Sequence, residues 1–303
     1  MLNLNIVYLA GRPWAVTPEI AALGAELLGS QGTAALRRIA EIHAAVGTPD
    51  RAAAGDGLRR TAGQVAVLPI LGLLTHRGGM VESTRTTSTA AIAGAVRSLA
   101  ADGAVSAIVL EVDSPGGEVA GTLEAGDAIR EAGRSKPIVA AVNSHAGSAG
   151  YWLASQAGEI LVTPSGQVGS IGVYWAHEEQ SKALEAQGRK VTLISAGKFK
   201  AEGNPFEPLG DEARAARQAT VDHFYGMFVK AVARGRGVGV ETVRDGFGQG
   251  RMVVAQAAVE QGMADRVGTL DDAIRRAAAL AGERRRGNVA LAAAEVARAK
   301  LAL

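Results

Sequence analysis

Apolar runs too short to span a membrane recur along the chain from residue 65 onward. Val, Ile and Leu dominate each run, with little of the polar alternation expected of a strand that has one wet face. Such runs are typical of strands buried on both faces, which occur mainly in parallel sheets. The pattern predicts strands over 65–74, 107–117, 137–143, 159–164 and 190–195.

Ala-rich segments with apolar residues at helical spacing separate these strands. They predict helices over 86–102, 118–133 and 147–157, and the chain is mostly helical from residue 210, where Asp211 can cap a helix. Strands that alternate with helices are typical of an α/β protein. We therefore expect a mainly parallel sheet flanked by helices.

The two ends of the chain differ in pattern from its middle. A helix is predicted over 17–46, because Thr17 can cap it and Pro18 suits its first position. The Gly-rich, polar stretch over 47–60 has the composition of a linker. The predicted division is an N-terminal helical segment with its linker over 1–60, a main domain over 61–283 and an Ala-rich helical tail over 284–303.

Composition excludes several classes of function. Hydrophobic residues make up 48% of the 303 and charged residues 20%, as in a packed globular protein. A net charge of +2, with no segment interleaving basic and aromatic residues, argues against a nucleic-acid partner. The absence of Cys excludes thiolate catalysis. With no signal-peptide pattern and no run of about 18 apolar residues, we expect a cytoplasmic protein without a membrane anchor.

Three Gly-rich stretches follow predicted strands and carry candidate catalytic groups. They are DSPGG at 113–117, NSHAGSAGYWLAS at 143–155 and SAGKFKAEGNPFEP at 195–208. Sites in parallel sheets cluster beyond the carboxyl ends of strands. In DSPGG, two Gly after a stiff Pro can turn backbone N–H groups toward a developing oxyanion. A plain strand–turn–helix connection has the same composition.

Ser148 lies between Gly147 and Ala149 at a predicted helix start. Its hydroxyl could be a nucleophile, since small neighbours leave room for a substrate and the Ala149 N–H could face an oxyanion. The alternative is an ordinary helix cap among small residues that serve packing.

A serine nucleophile needs a base. His145 shares the tight turn with Ser148 and is too near in sequence to be favoured, and a Lys can act instead if burial lowers its pKa. The third stretch offers Lys198 and Lys200, although both could equally be solvated. The chain's histidines are His43, His76, His145, His177 and His223.

Four motifs in a fixed order carry a family resemblance. DSPGG, GSAGYWLAS, VGSIGV and SAGKFKAEGNPFEP resemble the signal peptide peptidase A family of serine peptidases, and most of all its bacteriophage branch of capsid-maturation proteases. The resemblance covers about residues 64–275. It implies a Clp-protease/crotonase-like fold and a catalytic Ser–Lys dyad.

The resemblance also implies a role for each motif residue. Ser148 is the implied nucleophile and Lys200 the implied general base, with Lys198 a lesser candidate. Ser170 stands where Clp-type proteases carry a triad His and is implied to orient the Lys. The implied oxyanion hole comprises Gly116, with Gly117 beside it, and the N–H of Ala149.

The implied function is that of a serine endopeptidase of phage or prophage capsid assembly, which cleaves scaffold or portal proteins in the host cytoplasm or procapsid. One alternative is a cytosolic peptidase acting on signal-peptide remnants or other small peptides. Another is a crotonase-like acyl-CoA enzyme or an inactive scaffold protein. No cofactor and no metal site are expected.

Assembly into a homo-oligomeric ring is also expected from the resemblance, because short family members carry one Ser motif and one Lys motif and associate. In such a ring, Lys200 of one subunit could serve Ser148 of its neighbour. An apolar stripe after residue 210 could form the contact or simply face the core. The stripe comprises Val221, Phe224, Phe228 and Val232.

Overall fold

The computed structural model describes residues 14–16, 59–61, 65–81 and 84–301. The strands in these ranges are β1 (Trp14–Val16), β2 (Arg59–Thr61), β3 (Val65–Leu71), β4 (Leu74–Thr75), β5 (Gly79–Val81), β6 (Thr84–Ser88), β7 (Ala107–Ser114), β8 (Gly116–Glu118), β9 (Ile138–Gly147), β10 (Glu159–Val162), β11 (Gln167–Gly169), β12 (Met252–Val254) and β13 (Arg266–Val267). The helices are α1 (Thr89–Ala101), α2 (Thr122–Ser135), α3 (Ala149–Ala154), α4 (Ser181–Ala186), α5 (Asp211–Arg236), α6 (Val240–Asp245), α7 (Ala255–Glu260) and α8 (Leu270–Leu301).

The larger sheet has a parallel centre and antiparallel strands at its ends. Its path runs β12-β11-β9-β7-β3-β2, and β10 pairs with both β9 and β13. Only β2 and β12 pair antiparallel with their neighbours. β9 pairs with β10 along its first half and with β11 along its last three residues. The C-terminal end of β9 therefore diverges from β10 and lies beside β11.

A smaller sheet packs beside the carboxyl ends of β3 and β7. Its strand order is β1-β8-β4-β6-β5. β8 pairs parallel with β4 and antiparallel with β1. β8 is thus enclosed on both edges, and β1 is an end strand of this sheet.

Helices cover both faces of the larger sheet, which explains its unbroken apolar runs. On one face, alternate residues of β3 such as Ala66, Leu68 and Ile70 join a core with α1, α2, α3 and α5. On the other face, Val65 and Val67 pack with residues of α8. Burial of successive residues on opposite faces removes both from water, so polar alternation is absent. The predicted fold class, a mainly parallel α/β sheet flanked by helices, is confirmed.

Most predicted elements of the middle of the chain are present with shifted ends. The run over 65–74 forms β3 and β4 with a turn between them, and the run over 107–117 breaks at Pro115 into β7 and β8. The helix predicted over 118–133 begins at Thr122, because β8 extends to Glu118 and a turn over 119–121 follows it. The helix predicted over 86–102 begins at Thr89, after β6. The sequence pattern missed seven of the described strands, namely β1, β2, β5, β6, β11, β12 and β13.

The strand predicted over 190–195 is wrong. This segment has no regular secondary structure, and Ile194 is 97% exposed. An apolar, β-branched run favours a strand only where a neighbouring strand pairs with it. None of the described residues pairs with this segment.

The elements predicted for the N-terminal part of the chain lie largely outside the described residues. The helix over 17–46 and most of the linker over 47–60 lie outside the described residues. α8 runs without a break from Leu270 to Leu301, across the boundary predicted at 284, and the division into domains remains a prediction. In the described part of the chain, no helix has the length and apolarity needed to cross a membrane.

Candidate active site

Ser148 lies in a strained turn between β9 and α3. Its backbone has φ 52° and ψ −117°, a region that residues with a Cβ rarely occupy and that costs about 1–3 kcal/mol. The side chain is fully buried and makes no capping hydrogen bond to α3. An ordinary N-cap has an extended backbone and an engaged side chain. The geometry therefore argues against the alternative that Ser148 is a simple cap.

Hydrogen bonds hold the Ser148 backbone on both sides. Its N–H donates to the carbonyl oxygen of Gly169 at 2.8 Å, and its own carbonyl accepts from the N–H of Trp152 at 2.9 Å. The Oγ makes only a long contact, 3.4 Å from the Gly172 carbonyl oxygen. The Ser148 backbone is thus fixed, whereas its hydroxyl is held by only a weak hydrogen bond within the described chain.

The aromatic pair that follows Ser148 anchors α3 in the core. Trp152 stacks on Phe228 with ring centroids 4.5 Å apart. The Tyr151 hydroxyl donates to the Met263 carbonyl oxygen at 2.9 Å, and burial raises the pKa of Tyr151. These contacts explain why bulky residues follow the small ones: they hold the turn that carries Ser148.

Gly150 lets α3 approach the end of β7. A Cβ at this position would lie 3.0 Å from the Ser114 carbonyl oxygen and 3.2 Å from the Ser114 Cβ. For contacts this short, a methyl group fits only if the neighbouring atoms give by a few tenths of an ångström. Close packing next to the candidate nucleophile therefore favours glycine here.

The DSPGG stretch reaches the same place from the neighbouring strand. Ser114 ends β7 opposite Ala146 of β9, and β8 begins at Gly116. The Ser114 Oγ donates to the Gly72 carbonyl oxygen at 2.7 Å and accepts from the N–H of Gly116 at 3.1 Å. The N–H predicted to serve an oxyanion is thus engaged by Ser114 here. Ser114 is fully buried, and sequence reasoning missed it although it directly precedes Pro-Gly-Gly.

The other two predicted oxyanion residues also border the turn. Gly117 lies in β8 against β4, where a Cβ would come within 1.9 Å of the Leu74 carbonyl oxygen. Ala149 is the first residue of α3 and is fully buried. The first N–H groups of a helix have no acceptor within it and favour negative charge. The Ala149 N–H is therefore suited to receive an oxyanion.

Ser170 lies beside Ser148, at the end of the adjacent strand. Gly147 pairs with Gly169 in the β9–β11 ladder, and the next residue of each strand is a serine with positive φ. Ser170 is buried, and its N–H donates to the Arg251 carbonyl oxygen at 2.9 Å. The structure thus brings together two serines that are 22 positions apart in the chain.

Neither candidate lysine lies at the Ser148 hydroxyl. Lys200 is exposed, in a turn near Gly197. Lys198 is exposed as well; its Nζ lies 2.9 Å from Glu212 Oε1 and 4.5 Å from the centre of the Phe199 ring. Among the described residues, no hydrogen bond joins either lysine to Ser148. A Ser–Lys dyad is thus not assembled within the single chain.

His145 is directed toward β7 by a bulge in β9. The pairing of β7 with β9 shifts register between Val112 and Ser114, and Ser144 within the bulge has φ 106°. The His145 Nδ1 lies 3.1 Å from Asp113 Oδ1 and 3.2 Å from Ser144 Oγ. His145 Nδ1 is thus engaged by Asp113 and Ser144. Neither of these contacts connects His145 with Ser148.

The site's elements coincide with a known family. Residues 130–284, which include Ser148, Ser170 and both lysines, match the profile of peptidase family S49. The chain belongs to peptidase family S49. The predicted resemblance to signal peptide peptidase A proteins is confirmed, and membership of a peptidase family argues against the acyl-CoA alternative.

Phage proteins are among the most similar relatives. The chain is 36% identical over 211 residues to capsid assembly protease C of Escherichia phage lambda, covering 69% of this chain and 48% of that protein. It is 36% identical over 216 residues to head-tail preconnector protein GP5 of Enterobacteria phage P21, covering 71% and 43%. A putative signal peptide peptidase SppA of Enterococcus faecium is 32% identical over 177 residues, covering 57% and 50%. The chain thus spans about half the length of these relatives.

Proposed function

We propose that the protein is a serine endopeptidase in which Ser148 is the nucleophile and Lys200 the general base. The buried, strained placement of Ser148 between β9 and α3, without a capping role, is the observation that carries the proposal. Strained backbone held by surrounding structure is concentrated at active sites. Membership of peptidase family S49 supports peptide hydrolysis as the reaction.

The proposed reaction has two steps. The Ser148 Oγ attacks the peptide carbonyl carbon while the neutral Lys200 amine takes the hydroxyl proton. The resulting oxyanion is stabilised by the N–H of Ala149 with Gly116 and Gly117, once Ser114 releases or shares the Gly116 N–H. The C–N bond breaks as the leaving amine takes the proton from Lys200, and water then hydrolyses the acyl-enzyme by the same proton route.

Lys200 is exposed in the single chain, whereas a lysine that acts as a base needs surroundings that favour its neutral amine. Exposure keeps an ammonium group hydrated, and burial disfavours its charged form. The loop that carries Lys200 also exposes apolar side chains, with Ile194 97%, Leu193 46% and Phe199 49% accessible. These features support a homo-oligomeric ring in which the loop docks on a neighbouring copy and Lys200 reaches that copy's Ser148.

The predicted stripe on α5 contributes less to such a contact than the loop does. Phe228 and Val232 are fully buried in the core of their own chain, while Val221 and Phe224 are half-buried. The C-terminal half of α5 therefore faces its own core. The exposed N-terminal half remains available beside the Lys200 loop.

Assembly proteins of a phage capsid are the proposed substrates. Two relatives are named as a capsid assembly protease and a head-tail preconnector protein. We infer that the protein acts in the cytoplasm of a bacterial host or in a procapsid, and cleaves scaffold or portal proteins. A second candidate role, the removal of signal-peptide remnants, is favoured by the relative named as a putative signal peptide peptidase.

The test is labelling of Ser148 by a fluorophosphonate probe, together with substrate cleavage. The probe should label the wild type and Ser144→Ala, which alters the nearby exposed serine, and should not label Ser148→Ala. Scaffold and portal proteins encoded beside this gene should be cut, and synthetic signal peptides should not. Equal labelling of Ser148→Ala would disprove the nucleophile assignment, and preferential cleavage of signal peptides would favour the second role.

A further inference from the structure

β1 pairs with one edge of β8, a strand that packs against the helix start carrying the candidate nucleophile. β8 begins two residues after Ser114, which lies against Gly150 at the start of α3. α3 also packs against β8, so β8 lies close to the turn that carries Ser148. One edge of β8 is closed by β4, to which it fits because Gly117 lacks a Cβ. The other edge is paired with β1. Without β1, β8 would present free N–H and C=O groups beside Ser148.

Such an edge is suited to binding an extended peptide. Unpaired backbone groups on a strand edge form a template for another strand, and backbone pairing requires no particular side chains from the ligand. Gly116 and Gly117 present no side chains that could obstruct a peptide. A peptidase site that takes protein segments of varied sequence would use an edge of this kind.

The direction of β1 matches that of the acyl half of a substrate. Trp14 pairs with Glu118, Ala15 with Gly117 and Val16 with Gly116, so β1 runs from the far end of β8 toward its Ser148 end. The acyl half of a substrate is the part on the N-terminal side of the scissile bond, and its last carbonyl must reach the nucleophile. A substrate antiparallel to β8 would therefore follow the same course as Trp14–Val16.

We propose that β1 is a built-in competitor that occupies the substrate strand position on β8 and restrains the peptidase. The proposal rests on the proposed peptidase function. Tethering gives such a strand an effective concentration of about millimolar, against which a free substrate has to compete. Displacement of β1 by a substrate or by a partner protein frees the β8 edge and raises activity.

The test compares two double substitutions in the full-length chain. Trp14→Pro with Ala15→Pro removes two consecutive N–H groups of β1, and one of any two consecutive N–H groups on an antiparallel strand faces its partner. Gly79→Pro with Met80→Pro is the matched control, because it alters β5, the opposite end strand of the same sheet. The β1 variant should react with fluorophosphonate and hydrolyse peptides about tenfold faster than the wild type and the control.

Two further measurements separate relief of inhibition from a change in folding. A synthetic peptide of residues 11–19 should slow the β1 variant, whereas the same peptide with both prolines introduced should not. Trp14→Gly with Val16→Gly weakens the strand without proline and should also accelerate the reaction. Equal rates for wild type and a β1 variant that unfolds at the wild-type temperature would overturn the proposal and leave the peptidase assignment standing. If no variant labels at Ser148, the proposed function fails and this proposal fails with it.

Discussion

The N–H of Ser148 donates to the carbonyl oxygen of Gly169 at 2.8 Å, and this bond ties the turn of the candidate nucleophile to the residue before Ser170. Both serines have positive φ and both are buried. The backbones of both serines are therefore held side by side at the ends of β9 and β11. This arrangement fits a positioning role for Ser170.

Ser170→Ala should lower kcat about 10- to 100-fold without abolishing activity, because a misplaced base still transfers the proton. Its pH–rate profile should also change, since the hydroxyl that orients the amine is lost. Ser165→Ala, on the exposed turn before β11, is the matched control and should behave as the wild type. An unchanged kcat and pH profile in Ser170→Ala would show that Ser170 is only structural.

Lys200→Ala should lower kcat by at least about a thousandfold, because it removes the proposed general base and members of a catalytic unit act together. Lys198→Ala is the paired comparison, since that lysine makes an exposed ion pair with Glu212. An exposed pair contributes about 1 kcal/mol or less, so this variant should keep most activity and stability. Steady-state kinetics and thermal unfolding of the two variants identify which lysine is the base. A larger loss of activity in Lys198→Ala than in Lys200→Ala would assign the base to Lys198.

Mixed rings test whether the dyad crosses a subunit interface. Ser148→Ala and Lys200→Ala should each be inactive, and they should recover activity when they are unfolded together and refolded. Recovery is expected because some neighbouring pairs then combine an intact Ser148 with an intact Lys200. Mass measurement in solution must show the same assembly as the wild type. A mixed assembly of normal size that stays inactive would place the dyad within one chain.

Activity should rise with pH into the alkaline range, because a lysine that acts as general base must be neutral to take the hydroxyl proton. Tyr151 sets an upper limit on this rise. Burial raises its pKa, so the folded state keeps the phenol protonated where the unfolded chain ionises it. Its contribution to stability is complete below about pH 10 and is lost progressively above that.

Initial rates and thermal midpoints measured in parallel across the alkaline range check both effects. The rate should increase with pH above neutrality, and the midpoint should fall above about pH 10. Tyr151→Phe should weaken that fall while costing about 1–3 kcal/mol for the lost bond to the Met263 carbonyl. A rate that is already constant at mildly acidic pH would indicate a His base.

Gly150→Ala should reduce activity about tenfold, because the added methyl would lie 3.0 Å from the Ser114 carbonyl oxygen and push the start of α3 by a few tenths of an ångström. The loss should be smaller than the roughly 100-fold that a displacement of about 1 Å costs. Gly133→Ala in α2 is the control, since its Cβ would meet nothing within 4 Å. That change should raise helix stability by about 0.5–1 kcal/mol and leave kcat unchanged. Full activity in Gly150→Ala would contradict the packing argument.

Local pattern was enough to predict the centre of the sheet and to single out Ser148 as the candidate nucleophile. The runs that form β3, β7 and β9 are apolar at successive positions because helices cover both faces of the sheet. A strand buried on both faces can therefore be recognised from an unbroken apolar run in the sequence. Ser148 could be located because Gly and Ala surround a single Ser between a strand and a helix. Both signals depend only on residues adjacent in the chain.

Contacts between segments that are distant in the chain could not be predicted from local sequence pattern. The run over 190–195 has the composition of a strand, yet it is exposed, because strand formation depends on a partner that the described chain does not provide. Likewise, Lys200 is identified by motif, and its distance from Ser148 is set by how the loop packs. The pairing of Trp14–Val16 with β8, about 100 residues away, follows from the free edge of a small sheet that exists only after folding.

The sequence alone determined the α/β class and Ser148 as the candidate nucleophile, because buried strands and a Gly-lined turn each need particular residue types in consecutive positions. The tertiary structure alone decided that Ser114 engages the Gly116 N–H, that Ser170 stands beside Ser148, and that Lys200 faces solvent in the single chain. These relations depend on register, on strand order and on which edges remain unpaired. Register and pairing are collective properties of the packed sheet, and no local stretch of residues encodes them.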